Sequence, residues 1–290
     1  MMFRPGRLAL ALLLALTGDA TVAAGAEKLS PEQQKTAITW AANNSLFVLY
    51  HEMGHLLIDQ LDLPVLGKEE DAADNMASYA LLKKHTHEAD SAITDAAYGW
   101  LLTGQAYTPT PDDSDYYASH SLDRQRAFQI VCLMVGSNSK AFGKVADSYH
   151  MDSDRQDECA YDWKRLEKSM EGVLRPYAGK NARETEVKVI YHAASGKLRT
   201  AADAFKHSGV FEVIADDLRT RFGLRNTVTL RAKRCGEANA FYDPDKVEVT
   251  FCYELMDDFV HLISDDMPDD GKPQSLGNAK GAGRAAASPA

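Results

Sequence analysis

The stretch FVLYHEMGHLLIDQLDLPVLGKEEDAADNMASYALL, Phe47 to Leu82, decides how the rest of the chain is read. Its first half is an apolar run that carries His51, Glu52 and His55 and stops at DLPVLG, which reads as a helix and its terminus. On a helix, positions 51 and 55 stand one turn apart on one face. Two imidazoles so placed can reach a single zinc ion at about 2 Å. Glu52 is turned about 100° away. That makes it a poor companion ligand, but it stays close enough to reach a water on the metal. Burying two histidines and a carboxylate in an apolar helix is costly unless something pairs with them, and a metal ion does so.

A catalytic zinc needs a third protein ligand. The residues after His55 are LLIDQLD, with no histidine at the spacing that metzincins use. The nearest candidates are Glu69, Glu70, Asp71 and Asp74. The helix runs on for about 9 Å past His55 at 1.5 Å per residue, and the connection Asp62 to Gly67 can span up to about 20 Å. It can therefore double back and set the first turn of a second helix, KEEDAADNMASYALLKK, beside the metal. Glu70 and Asp74 then share one face. We expect Glu70 as the ligand and Asp74 behind it, orienting an imidazole, with Glu69 and Asp71 facing elsewhere. Asp74 as the third ligand is the alternative.

The N-terminus has a different character. MMFRPGR carries two arginines, LALALLLAL is an apolar run from Leu8 to Leu16, and Ala24-Gly25-Ala26 fits a small-x-small cleavage site. This predicts a secretory signal peptide over residues 1–26. The apolar run is too short to span a bilayer, and no other segment is long and apolar enough to do so. Export, to a periplasmic or extracellular location, makes the four cysteines legible as disulfides. Chain order favours Cys132–Cys159 and Cys235–Cys252. RAKRCGEANAFYDPDKVEVTFCYEL reads as two strands about a turn at Asp243-Pro244-Asp245, with Cys235 and Cys252 almost equidistant from it. A zinc–thiolate cluster would want CxxC spacing, which is missing. The formal net charge of -10 argues against a phosphate-binding surface and hence against nucleic acid as a partner.

The pattern along the chain predicts a mostly helical α+β protein. Residues 27–178 form a helical metal-binding domain, beginning at a Ser30 cap with Pro31 in the first turn. Residues 184–264 form an α+β module: a strand in ETEVKVIYHA, one helix over ADAFKHSGVFEVIADDLRTRF, two strands and a short closing helix. Residues 265–290, poor in large apolar side chains, read as a disordered tail.

LYHEMGHLLIDQLDLPVLGKEEDAADNMA, HSLDRQRAFQIVCLMVGS and CGEANAFYDPDKVEVTFCYEL together resemble, in that order and over nearly all of the mature chain, a bacterial family of exported proteins described as metallopeptidases on the strength of their HExxH. The arrangement of Glu70 and Asp74 is similar to the ExxxD of gluzincin peptidases, which have a longer gap before the glutamate. In zincins a small sheet precedes the active-site helix, and its edge strand pairs with substrate. Here the strands follow the helix. Two readings stay open: a zincin-like sheet in permuted order, with Asn239 to Tyr242 close to the cleft, or a separate hairpin module.

Zinc peptidases add a donor for the tetrahedral oxyanion. DYYASHSLDRQR offers Tyr116, Tyr117, His120 and Arg126, of which we expect His120. The remaining histidines lack ligand spacing. The reading is an exported, zinc-dependent, gluzincin-like metallopeptidase acting on a peptide or protein substrate. His51, His55 and Glu70 hold one catalytic zinc, Glu52 acts as base on a metal-activated water, and Asp74 supports the site. The alternatives are a non-catalytic zinc-binding envelope protein and a zinc hydrolase of non-peptide amides.

Overall fold

Ser30 starts the central helix of the fold. Its hydroxyl accepts from the Gln33 backbone, the Gln33 side chain returns a bond to the Ser30 amide, and Pro31 takes the first helical position. The resulting α1 (Pro31–Leu61) runs 31 residues and ends with Asp62 in the left-handed region. Between Phe47 and Leu57 it is buried on nearly every face, as expected of a helix at the centre of a fold rather than on its surface.

The computed structural model describes residues 29–177 and 185–267. The predicted leader lies outside them, as does the predicted 265–290 tail from residue 268 onward, whereas Asp265 and Asp266 at its start are helical. After α1 come α2 (Glu69–Leu82), α3 (His87–Tyr107), the short α4 (Asp113–Tyr116), α5 (Asp123–Ser137), α6 (Ser139–Ser148) and α7 (Ser153–Leu174). Then follow β1 (Val187–Tyr191), α8 (Leu198–Ser208), α9 (Val210–Arg221), β2 (Val228–Lys233), β3 (Ala240–Asp243), β4 (Glu248–Cys252) and α10 (Tyr253–Asp266). The architecture is thus a mostly helical α+β fold with one small mixed sheet.

The strand order is β1-β2-β4-β3. The first three are mutually parallel, and β3 runs antiparallel to β4 at the edge. Strand β4 is buried throughout, and Phe251 stacks on Phe205 of α8 at 4.0 Å. Helix α1 packs against α2 and α3 and also against α9, α10 and β3. Tyr242 of β3 is tied to it directly: its hydroxyl donates to Asp59 at 2.6 Å.

Three expectations are corrected. The stretch from Arg231 to Leu255 holds three strands, not two. Strands β2 and β4 are parallel neighbours with Lys233 opposite Cys252, so Cys235–Cys252 closes the chain just past β2 onto the end of β4 rather than crossing the Asp243–Asp245 turn. Gly236, with φ +95, lets the chain leave β2 and return as β3. The helix expected over 202–222 is broken at Gly209, whose φ of +70 ends α8. Helix α6 was not anticipated; Asn138 caps it by accepting from Ala141. The second disulfide, Cys132–Cys159, joins α5 to α7 as the pairing by chain order expects.

The contact of α1 with α3 has no room to spare. A Cβ at Gly99 would sit 1.9 Å from Asn44 Oδ1. One turn away, Asp95 accepts from Asn43 at 2.6 Å. Burial pushes its carboxyl up to about 6, against the opposing effect of that hydrogen bond. A carboxyl raised in the folded state costs stability when ionised. The penalty is absent below the unfolded value near 4 and grows as pH rises through about 6. We expect Asp95→Asn to leave stability unchanged near pH 4 and to raise it above pH 7 by up to about 3 kcal/mol. Paired denaturant titrations at the two pH values check this.

Candidate metal centre

Helix α2 comes back along α1 because Gly54 allows it. A Cβ there would lie 3.0 Å from the Ala73 Cα and 3.2 Å from the Ala73 Cβ. The fourth residue of His51-Glu52-Met53-Gly54-His55 is therefore a point of close approach between the two helices. That approach brings the first turn of α2 over the two histidines.

The result is a triangle of donor atoms. His51 Nε2 and His55 Nε2 are 3.1 Å apart, and Glu70 Oε2 lies 3.1 Å from the first and 3.2 Å from the second. Zinc bonds of about 2.0–2.1 Å in tetrahedral geometry put ligand atoms about 3.3 Å apart. The three atoms thus have the spacing of one face of a zinc tetrahedron, and two imidazoles with one carboxylate suit that ion chemically. One other cluster of ligand-type residues occurs among those described, Cys132, Cys159 and Asp162, but its sulfurs are joined in the disulfide.

The atoms behind the triangle hold it in place. His51 turns its Nδ1 to Asp74 Oδ1 at 2.8 Å. Asp74 in turn receives Arg126 through Nε at 2.7 Å and Nη2 at 2.8 Å. The Arg126 guanidinium lies 3.5 Å from the centre of the Trp100 ring. His55 turns its Nδ1 to Glu69 Oε1, also at 2.8 Å. Glu69 therefore does not face away as expected. It backs the second histidine as Asp74 backs the first, but from an exposed position. Asp71 does point elsewhere, accepting from Ser121.

Electrostatically the point is built for positive charge. Burial works against a charged His51, yet the carboxylates of Asp74 and Glu70 raise it to about 9. His55 is raised in the same sense: burial again opposes, and Glu70 and Glu69 outweigh it. Hydrogen bonds from His120, His51 and His55 hold the Glu70 carboxyl far below the usual range. Burial would lift Asp74, but the Arg126 ion pair takes it down to about 2. Glu52 differs: burial pushes its carboxyl up.

His120 faces the open side, and Glu52 borders it while itself buried. A cleft of about 690 Å³ is lined by His51, Glu52, His55, Glu70 and His120 on one side, and by Asn239 to Tyr242 on the other. His120 sits with its Nε2 2.8 Å from Glu70 Oε2, and Lys68 Nζ holds its loop by the carbonyls of Ala118 and His120. The other expected oxyanion donors are elsewhere. Tyr116 and Tyr117 are largely exposed and do not line the cleft, and Arg126 is occupied by Asp74. Sequence reasoning missed Trp100 and the backing role of Arg126; only the stacking of one on the other and the Arg126–Asp74 pair link them to His51.

A donor set of this kind beside an open cleft is what a metal-dependent peptidase requires. The chain matches the family DUF4344, described as "Putative metallopeptidase", over residues 9–174 and 191–281, and it belongs to that family. Membership implies a metal ion and a peptide or protein substrate. No curated protein and no solved structure matches the chain. No helix among the described residues is long and apolar enough to cross a membrane, and the two disulfides are compatible with export.

Two substitutions probe the framework. Gly54→Val should force α2 outward and lower metal affinity by at least about tenfold. Arg126→Met should leave Asp74 unclamped and lower it by about 10–100-fold. Competition against a chromophoric chelator measures both, with circular dichroism to establish that each variant is folded.

Proposed function

We propose that this protein is an exported zinc-dependent peptidase with His51, His55 and Glu70 as metal ligands and Glu52 as general base. The observation that carries the reading is the triangle of His51 Nε2, His55 Nε2 and Glu70 Oε2, with sides of 3.1–3.2 Å, opening onto a cleft that Glu52 also lines. When bound, zinc would polarise the scissile carbonyl and acidify a water. Glu52 takes the proton of that water and delivers it to the leaving amine. Burial, by raising its carboxyl, makes it a better proton acceptor than an exposed glutamate. His120, exposed at the rim and carried on a loop tied to Lys68, donates to the developing oxyanion.

The far wall of the cleft supports a peptide rather than a small amide. Cys252 donates to the Asn239 carbonyl, with Ala240 opposite Phe251. Antiparallel strands alternate between bonded and unbonded pairs. Asn239 and Phe241 therefore bond to β4, while Ala240 and Tyr242 turn their N–H and C=O groups to the free edge. That edge faces the cleft, where the Tyr242 amide meets the Glu52 carboxylate. With the Tyr242 amide held by Glu52, the Ala240 N–H and C=O are the groups to which an extended substrate can add as a further strand. The same geometry favours a zincin-like relation of edge strand to active-site helix, reached in permuted chain order.

The test uses protein beginning at Glu27, with Glu52→Gln and Glu70→Ala. Wild type and Glu52→Gln are expected to hold one zinc each, and Glu70→Ala to lose it. Only wild type should cleave casein and a quenched peptide library, with Glu52→Gln slower by at least about 10²-fold. Absence of zinc from metal-replete wild type would overturn the reading.

A further inference from the structure

A second cavity, of about 420 Å³, opens off the metal centre and has a different lining. It shares His51, Glu52, His120, Asn239 and Ala240 with the main cleft, so the two meet at the reacting groups. Beyond that junction its walls are mainly apolar, Val48, Trp100, Leu255 and Phe259, with Thr103, the Asp74-paired Arg126, and Tyr107 and Asp258 hydrogen-bonded to each other at 2.7 Å as the polar part. Two of the apolar walls are braced. Arg126 covers one face of Trp100, and Phe259 meets the Trp40 ring edge-on at 6.2 Å. The other arm of the cleft instead carries Asp59, Asp62 and Glu69.

The order of these arms along β3 gives a direction. Residues 238–240 line the apolar chamber, and Phe241, Tyr242 and Pro244 line the acidic arm. A substrate strand antiparallel to β3, the more stable pairing, runs from the acidic arm to the chamber. The residue that follows the scissile bond then reaches the chamber first.

Resting on the peptidase reading above, we propose that the chamber walled by Val48, Trp100, Thr103, Leu255 and Phe259 is the specificity pocket for a large apolar side chain immediately C-terminal to the cut. Its substrates are accordingly peptides or proteins with phenylalanine, leucine or a similar residue at that position. A rigid apolar pocket discriminates by the surface it covers, and the difference between phenylalanine and alanine is expected to be about 100-fold in kcat/KM.

The experiment sequences the products of a peptide library cut by wild type and measures the Phe-to-Ala ratio of kcat/KM at each flanking position. Thr103→Trp, which fills the chamber, should lower that ratio at least tenfold. Leu255→Ala, which widens it, should shift preference toward tryptophan and decides the matter if the first variant does not fold. In parallel, zinc-loaded Glu52→Gln is titrated calorimetrically with Gly-Ala hexapeptides carrying one Phe or one Ala. The Phe peptide should bind at least tenfold tighter, and Thr103→Trp should abolish the difference. Cleavage without this preference, or with it on the N-terminal side of the cut, overturns the proposal and leaves the peptidase reading intact. A binding preference without any cleavage by wild type overturns the peptidase reading and leaves the chamber as a binding pocket.

Discussion

Everything at the centre of this molecule depends on a buried carboxylate that serves two masters. Asp74 accepts two bonds from Arg126 on α5 and one from His51 on α1, while itself sitting on α2. Three helices thus meet at one side chain. Taking a carboxylate and a guanidinium out of water is expensive, and only the paired geometry with further hydrogen bonds offsets it. Removing one partner of such a pair typically costs about 3–5 kcal/mol. Trp100 closes the far side of the guanidinium, so Arg126 has no freedom to let go. The orientation of the His51 ring is therefore set by the core of the protein and not by whatever occupies the cleft.

The two histidines are held with unequal firmness. His51 is backed by a buried, arginine-clamped aspartate, whereas His55 is backed by Glu69, half exposed at the start of α2. Water competes for Glu69 and hardly reaches Asp74. The site consequently has a fixed side, continuous with α5, and a softer side toward the connection that joins α1 to α2.

Much of this was legible in the sequence where chemistry and helical period coincide. His51 and His55 share a face because of 3.6-residue periodicity, and Glu70 and Asp74 share one for the same reason. The doubling back of α2 could be argued from chain length alone. Both cysteine pairs followed from order along the chain. What was not legible involves contacts with no local signature. Arg126 could be named but not placed, because its partner lies 52 residues away. The contact of Glu69 with His55 is not legible, because helical geometry fixes faces but not the reach of a long side chain bent back on its own first turn. Strand β3, four residues long, was merged with β2 because parallel pairing of β2 with β4 leaves no hairpin turn to read.

The order of the parts along the chain has a consequence for how the cleft comes into being. All the candidate metal ligands have been made by residue 70, within the first two elements. The wall that faces them, Ala240 to Asp243, lies in the last quarter of the chain, and it is locked to α1 through Tyr242 and Asp59. A polypeptide that has emerged only as far as α9 has the ligands but no groove in which to hold anything. The strand that completes the groove arrives between the two cysteines of the last disulfide. Assembly of the binding surface thus waits until that strand has been made.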